Sequence, residues 1–235
     1  QLDQSLGQKV GDSTAYEKLD HYRQMAADML LGSPVREAYD LELEDQRIRD
    51  MYGDHIGGQS LLLARRLVEA GVPVVQAVCS AGDLAGGGGD NWDTHRNHFP
   101  KMKNRLLPVF DRAVSALLTD LEMRGMLDET LIIWGGEFGR TVYAQGGLNM
   151  DRYGRDHHPR CYSMWLAGGG IKGGTTYGTT DEFWFNIVEN PVPVYDLHAT
   201  MLHCLGIDHE KLTFKFQGRH YRLTDVHGNV VKGLL

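Results

Sequence analysis

The sequence predicts an α/β protein, a sheet with helices packed on its faces, and three observations carry that reading. Segments with apolar residues at helical spacing alternate along the chain with short apolar runs bounded by glycine. The glycines stand where helices should stop. Asp, Glu and His gather in the connections that follow the apolar runs, as they do where an open sheet binds a ligand.

From Ser13 to Ala70 the pattern is helical. YEKLDHYRQMAADMLLG places Leu19, Tyr22, Met25, Ala26, Met29 and Leu30 on one stripe and stops at Gly32. Ser33-Pro34 opens a second helix, and GGQSLLLARRLVEAG a third with Gly71 as its C-terminal cap. VPVVQAVCS then reads as a buried strand before the Gly-rich loop at 82 to 89. A helix over Lys103 to Arg124 has Leu107, Phe110, Val114, Leu117 and Leu121 as its apolar stripe and ends at Gly125. TLIIWGG and CYSMWLAGG are two further strands, and VYDLHATMLHCLG is a helix closing at Gly206. The tail suggests an edge hairpin around His227-Gly228-Asn229. Residues 1–58 form a helical N-terminal segment and 59–235 the α/β core.

The composition fits one sizeable soluble domain, or a core with an appendage: 235 residues, 42% hydrophobic and 23% charged. A net charge of -7 without a block of Lys and Arg argues against nucleic acid as a partner. No apolar run approaches the ~20 residues that span a bilayer. Cys79, Cys161 and Cys204 are far apart in apolar surroundings, which predicts buried free thiols and leaves the redox compartment open. The polar opening QLDQSLGQKVGDSTAYEKLDHY reads as a boundary within a longer protein rather than a signal peptide.

Three clusters hold the chemistry: DNWDTHRNHF at 90–99, GGEFGRT at 135–141 and GRDHHP at 154–159. Carboxylate oxygen and imidazole nitrogen together suit a divalent ion such as zinc or manganese, with calcium as the oxygen-preferring alternative. Asp93 and His95, two residues apart, share a side of an extended loop; otherwise Asp93 caps a turn and His95 is exposed. Glu137 stands at the mouth of an apolar strand, where a carboxylate needs a metal or a partner such as Arg140. Arg140 has the planar fork for a phosphate or sulfate oxyanion. His157 and His158 point in different directions, so one can ligate while the other meets substrate or core. Asp156 beside them is placed to orient an imidazole from the second rank. The histidines beyond position 190 read as packed or exposed. There is no H-E-x-x-H, G-x-S-x-G, P-loop or dinucleotide fingerprint.

DNWDTH, LDETLIIWGGEFGRT, GRDHHP, AGGGIKGG, YGTTDE, PVPVYDLHATMLHCLGID and RLTDVHG, in this order, resemble a sulfatase-like bacterial family called domain of unknown function 1501. That family is grouped with the alkaline phosphatase superfamily, and the likeness runs from about Tyr39 to the C-terminus. It implies a three-layer sandwich with a mostly parallel central sheet, alkaline phosphatase-like, lacking the N-terminal strand of the full fold. It implies an exported protein and a site in which Asp93, His95, Glu137, His157 and His158 hold a divalent metal. Glu137 stands where the superfamily has Asp, and Phe138 where a His often follows. No Gly-Gly-Pro-Ser-like strand end precedes Asp93, and no cysteine sits in a C-x-P-x-R motif, so the nucleophile is unknown.

The implied function is metal-dependent hydrolysis of a phosphate or sulfate ester, small molecule or saccharide, with Arg140 on the developing charge. The alternative is a non-catalytic exported binding module that keeps the fold, with or without a structural metal.

Overall fold

The structure, a computed structural model, describes residues 33–82, 91–147, 149 and 152–235, with 20, 21, 23, 24 and 27 before them. Most of the expected helix that stops at Gly32, and most of the Gly-rich loop, lie outside the described residues. Two compact units divide the chain. One takes the residues up to Cys79 together with Val109–Leu117, the other Ser80–Pro108 and Leu118–Leu235.

The first unit is helical. Helix α1 spans Ser33–Tyr39, α2 spans Gln46–Tyr52 and α3 spans Ile56–Glu69. Asp45 caps α2 by accepting Arg47 N–H at 2.7 Å, and the His55 ring caps α3 by accepting Gly58 N–H at 2.9 Å. Gly58 is required at that joint, because a Cβ there would lie 2.2 Å from the Tyr52 carbonyl oxygen. Tyr52 and Leu62 are fully buried, and so is Arg65. Arg65 pairs with Glu44 and, at 2.5 Å, with Glu69, while Arg66 meets Glu44 at 3.0 Å. Buried charge is tolerated here because each cation faces a carboxylate.

A short helix α4, His98–Lys101, of the second unit runs through a wide π turn at Met102–Leu106 into α5, Leu107–Met123, whose residues Val109–Leu117 belong to the first unit. Pro108 has no N–H to give to the preceding turn, which accounts for the widening. Ala113, Ala116, Leu117 and Leu121 are buried on α5, whereas Leu107 of the expected stripe is exposed. Helix α6 spans Val194–Cys204. The expected glycine stops hold at α3, α5 and α6. Gly71, Gly125 and Gly206 all have positive φ, and each sits in a paired bond set such as Val72 N–H to Leu67 O at 3.0 Å and Gly71 N–H to Val68 O at 2.9 Å.

The expected parallel central sheet is overturned. The described strands form separate two-stranded antiparallel sheets. Strand β1 (Ile132–Trp134) pairs with β4 (Trp165–Ala167), and β2 (Gly139–Arg140) with β3 (His157–His158). Strand β5 (Thr179–Thr180) pairs with β6 (Ile187–Glu189), and β7 (Thr213–Phe216) with β8 (Arg219–Arg222). TLIIWGG and CYSMWLAGG are therefore strands of opposite direction. VPVVQAVCS is not a strand: it belongs to none of the sheets among the described residues, and Val74 and Val78 are more than half exposed. A parallel sheet needs helical crossovers between neighbouring strands. Here β1 is joined to β4 through loops and the short β2 and β3, and the two later pairs close locally.

The last hairpin turns at Gln217-Gly218, not at His227-Gly228-Asn229. Both central residues have positive φ, 47° and 84°, as the two-residue hairpin turn of this hand requires. The cysteines are free, with Cys79 and Cys161 buried and Cys204 half-buried. Burial pushes the Cys79 thiol up to about 11. No helix among the described residues is long and apolar enough to cross a membrane.

Candidate metal centre

The site grows from backbone pairing of three segments. Tyr153 pairs with Arg96 and Gly154 with Gln145 as antiparallel bridges, so residues 152–156 run between the other two segments. Arg155 N–H donates to Thr94 O at 3.0 Å on one side, and Thr141 N–H donates to Asp156 O at 2.9 Å on the other. Gly154 makes the approach possible. A Cβ there would lie 2.0 Å from both the carbonyl carbon and oxygen of His95. Two buried threonines brace the joint: Thr141 Oγ1 accepts Asp156 N–H at 3.0 Å, and Thr94 Oγ1 meets His98 Nδ1 at 2.7 Å. Burial, then the charges of Arg155 and Arg140, lower the His98 pKa.

This frame brings Asp93, His95 and His157 together. Asp93 Oδ1 is 2.9 Å from His95 Nε2 and 3.0 Å from His157 Nε2, and the two nitrogens are 3.1 Å apart. Among the described residues these three form the one grouping of His, Cys, Asp and Glu that could hold a metal ion. Donors spaced in this way leave a point about 2.1 Å from all three, the ordinary bond length for nitrogen and oxygen on zinc. The donor set, two imidazoles and a carboxylate, suits a borderline divalent ion, and the half-exposed face leaves room for further ligands. The residues fit such an ion.

Arg140 lies beside the triangle. Its Nη2 donates to Asp93 Oδ1 at 2.6 Å and to Trp92 O at 3.3 Å, and its Nη1 donates to Arg155 O at 3.4 Å. Burial disfavours the Asp93 anion, but hydrogen bonds from Arg140 and His157 and the charges of Arg140 and His95 outweigh it and hold the carboxyl at about 2. Arg140 and His157 are also register partners across β2 and β3, so guanidinium and imidazole issue from facing positions. The Phe138 ring packs on His157 at 4.3 Å between centroids.

His158 and Glu137 are not brought into this triangle. Alternation along β3 turns His158 the other way, into a buried position where its Nε2–H donates to Phe185 O at 2.8 Å and its ring stacks on Phe185. Glu137 is exposed in the turn between β1 and β2. Asp156 accepts the His157 N–H at 2.8 Å, and its Oδ1 is 4.0 Å from His95 Nδ1. The group that does bond His95 Nδ1 is Gln145, through Oε1 at 2.6 Å. Sequence reasoning passed over Gln145, because an amide in YAQGG carries no ligand signal; only the pairing with Gly154 places it. His198 and His203 are exposed on α6, and His209 is buried against Thr224.

The fold and site together define a protein of short helices and small antiparallel sheets that presents a two-histidine, one-aspartate cluster beside an arginine. The chain belongs to the family described as protein of unknown function, DUF1501, whose model matches residues 1–235. No curated protein and no solved structure matches it.

Proposed function

We propose that this chain carries the metal-binding site of a hydrolase that cleaves phosphate or sulfate esters. The observation that supports this reading is the convergence of Asp93 Oδ1, His95 Nε2 and His157 Nε2 with the Arg140 guanidinium 2.6 Å from the same carboxylate oxygen. Asp93, His95 and His157 would hold a divalent ion, which supplies Lewis acidity toward an ester oxygen when bound. Arg140 adds a fixed positive charge next to that position, held in plane by the carbonyls of Trp92 and Arg155, and would stabilise an oxyanion as charge develops. The resemblance to sulfatase-like proteins of the alkaline phosphatase superfamily points to the same chemistry.

The test is hydrolysis of an aryl phosphate and an aryl sulfate by purified protein with zinc, manganese or calcium, alongside metal analysis. Turnover that disappears in both His157→Ala and Arg140→Ala is the expected result. A protein that takes up none of these ions and turns over neither ester sinks the proposal.

One observation favours the alternative, a non-catalytic binding module. The threonine hydroxyls that brace the frame, Thr94 and Thr141, are buried and already hydrogen-bonded, which makes them poor nucleophiles. Metal uptake without turnover of either ester would select that reading.

A further inference from the structure

We infer that Gln145 is a positioning residue that sets the tautomer of His95 and so turns the His95 Nε2 lone pair into the metal triangle. The inference rests on the metal reading of Asp93, His95 and His157. It starts from the 2.6 Å contact between Gln145 Oε1 and His95 Nδ1. An amide oxygen only accepts, so Nδ1 carries the proton and Nε2 is left bare. In neutral His95 that bare nitrogen faces Asp93 Oδ1 at 2.9 Å, an approach of two acceptors that is unfavourable unless a second proton or a metal ion lies between them. His157 Nε2–H can bridge to Asp93 in the absence of metal, but the contact of neutral His95 with Asp93 has no hydrogen of its own once Nδ1 holds it. Gln145 thus makes the triangle a cation acceptor.

The backbone explains why Gln145 can do this. Its N–H donates to Gly154 O at 2.8 Å and its carbonyl accepts Gly154 N–H at 2.9 Å, which fixes its Cα opposite the glycine that packs on His95. The side chain therefore reaches the imidazole from a pinned base. Asp156 is the carboxylate that stands near the same nitrogen, but at 4.0 Å it is beyond hydrogen-bond distance. A neutral amide in that place orients the ring without adding an anion behind it, as a carboxylate partner would.

The experiment is long-range proton–nitrogen NMR of the metal-free protein at a pH of about 8, where a free imidazole is neutral. The expected spectrum has His95 protonated at Nδ1 and bare at Nε2. In Gln145→Leu the Nδ1–H signature should give way to the Nε2–H form, and zinc affinity by calorimetry should fall by ~10- to 100-fold. Gln145→Glu restores an acceptor and should restore both readouts. An Nε2–H tautomer in the parent, or a Gln145→Leu spectrum like the parent's, overturns the inference. The parent spectrum decides even where the leucine variant does not fold. Ester hydrolysis enters none of these measurements, so failure of the hydrolase proposal stays distinguishable: zinc would still move the His95 Nε2 resonance in a chain that binds metal and cleaves nothing.

Discussion

The charge cluster around Arg65 and the one around Arg140 use the same kinds of side chain in opposite surroundings. Arg65 is fully buried and Glu44 nearly so, and their neighbours Arg66 and Glu69 complete a set in which donors meet acceptors. Around Arg140 the side chains are a quarter to a half exposed, and two imidazole nitrogens and a carboxylate oxygen meet one another. In the first arrangement each guanidinium already faces a carboxylate. The second has more acceptors than its arginine can serve, which is what a cation site requires. Burial alone would have pointed to the wrong cluster; the direction of the lone pairs separates them.

The largest effect should come from breaking the buried cluster. Glu44→Ala leaves Arg65 in its buried place with one carboxylate fewer, and such losses cost about 3–5 kcal/mol. Urea denaturation should show that loss. A cost like that of a surface pair, below about 1 kcal/mol, would mean the cluster is not the buried pair described. Next is Gly154→Ala, where the added Cβ has to displace the His95 carbonyl. A strained insertion of this kind costs about 1–3 kcal/mol. Because the displaced residue belongs to the proposed metal triangle, zinc affinity should fall with it. Unchanged affinity in a folded Gly154→Ala protein would remove the reason given for that glycine.

These two sites also mark what was legible in the sequence. Helix ends were, because a glycine at positive φ is a local requirement: Gly71, Gly125 and Gly206 act where they stand. Asp93, His95 and His157 were legible as types, since few side chains ligate metals and these gather in loops. Strand direction was not. Ile132–Trp134 and Val72–Ser80 are similar apolar runs, yet among the described residues the first is a paired strand and the second is not a strand, and pairing is a property of distant residues. The choice between His157 and His158 was equally hidden, because it depends on the register of β3 against β2. Gln145 was invisible for the same reason.

That register gives a sharper and smaller test. His157→Ala should lower zinc affinity by more than ~100-fold, beyond the loss of an outer partner, and change stability by less than about 0.5 kcal/mol, as at exposed positions. His158→Ala should do the reverse. It removes a buried ring stacked on Phe185 and a hydrogen bond to a carbonyl, a loss of about 1–3 kcal/mol. Calorimetry with zinc and a denaturation curve on both variants decide the matter. Equal effects on metal binding would mean that β3 does not separate the two faces.

The smallest effect belongs to a third carboxylate, Asp181, which is the counter-case to Asp93. It accepts Phe185 N–H at 2.8 Å, Asn186 N–H at 3.0 Å and the Asn186 side chain at 2.9 Å, closing the tip between β5 and β6. The Phe185 N–H is the main cause of its lowered pKa; burial opposes it, and the Asn186 donors and the Phe183 N–H add to it. Every neighbour is a neutral donor, so the anion is satisfied and asks for no ion. Its folded pKa lies below the ordinary 3.8, so what it adds to the tip is fully present above pH 3.8 and is lost as pH falls through the lower folded value. The Phe185 and Asn186 amide signals should therefore titrate below pH 3.8. Asp181→Asn should speed their hydrogen exchange at neutral pH, because the carboxamide keeps a single oxygen for donors that now share two. The change should reach His158 through the Phe185 carbonyl and stop there, leaving zinc affinity at its parent value. An Asp181→Asn protein that loses metal as His157→Ala does would show that the tip and the triangle are one site.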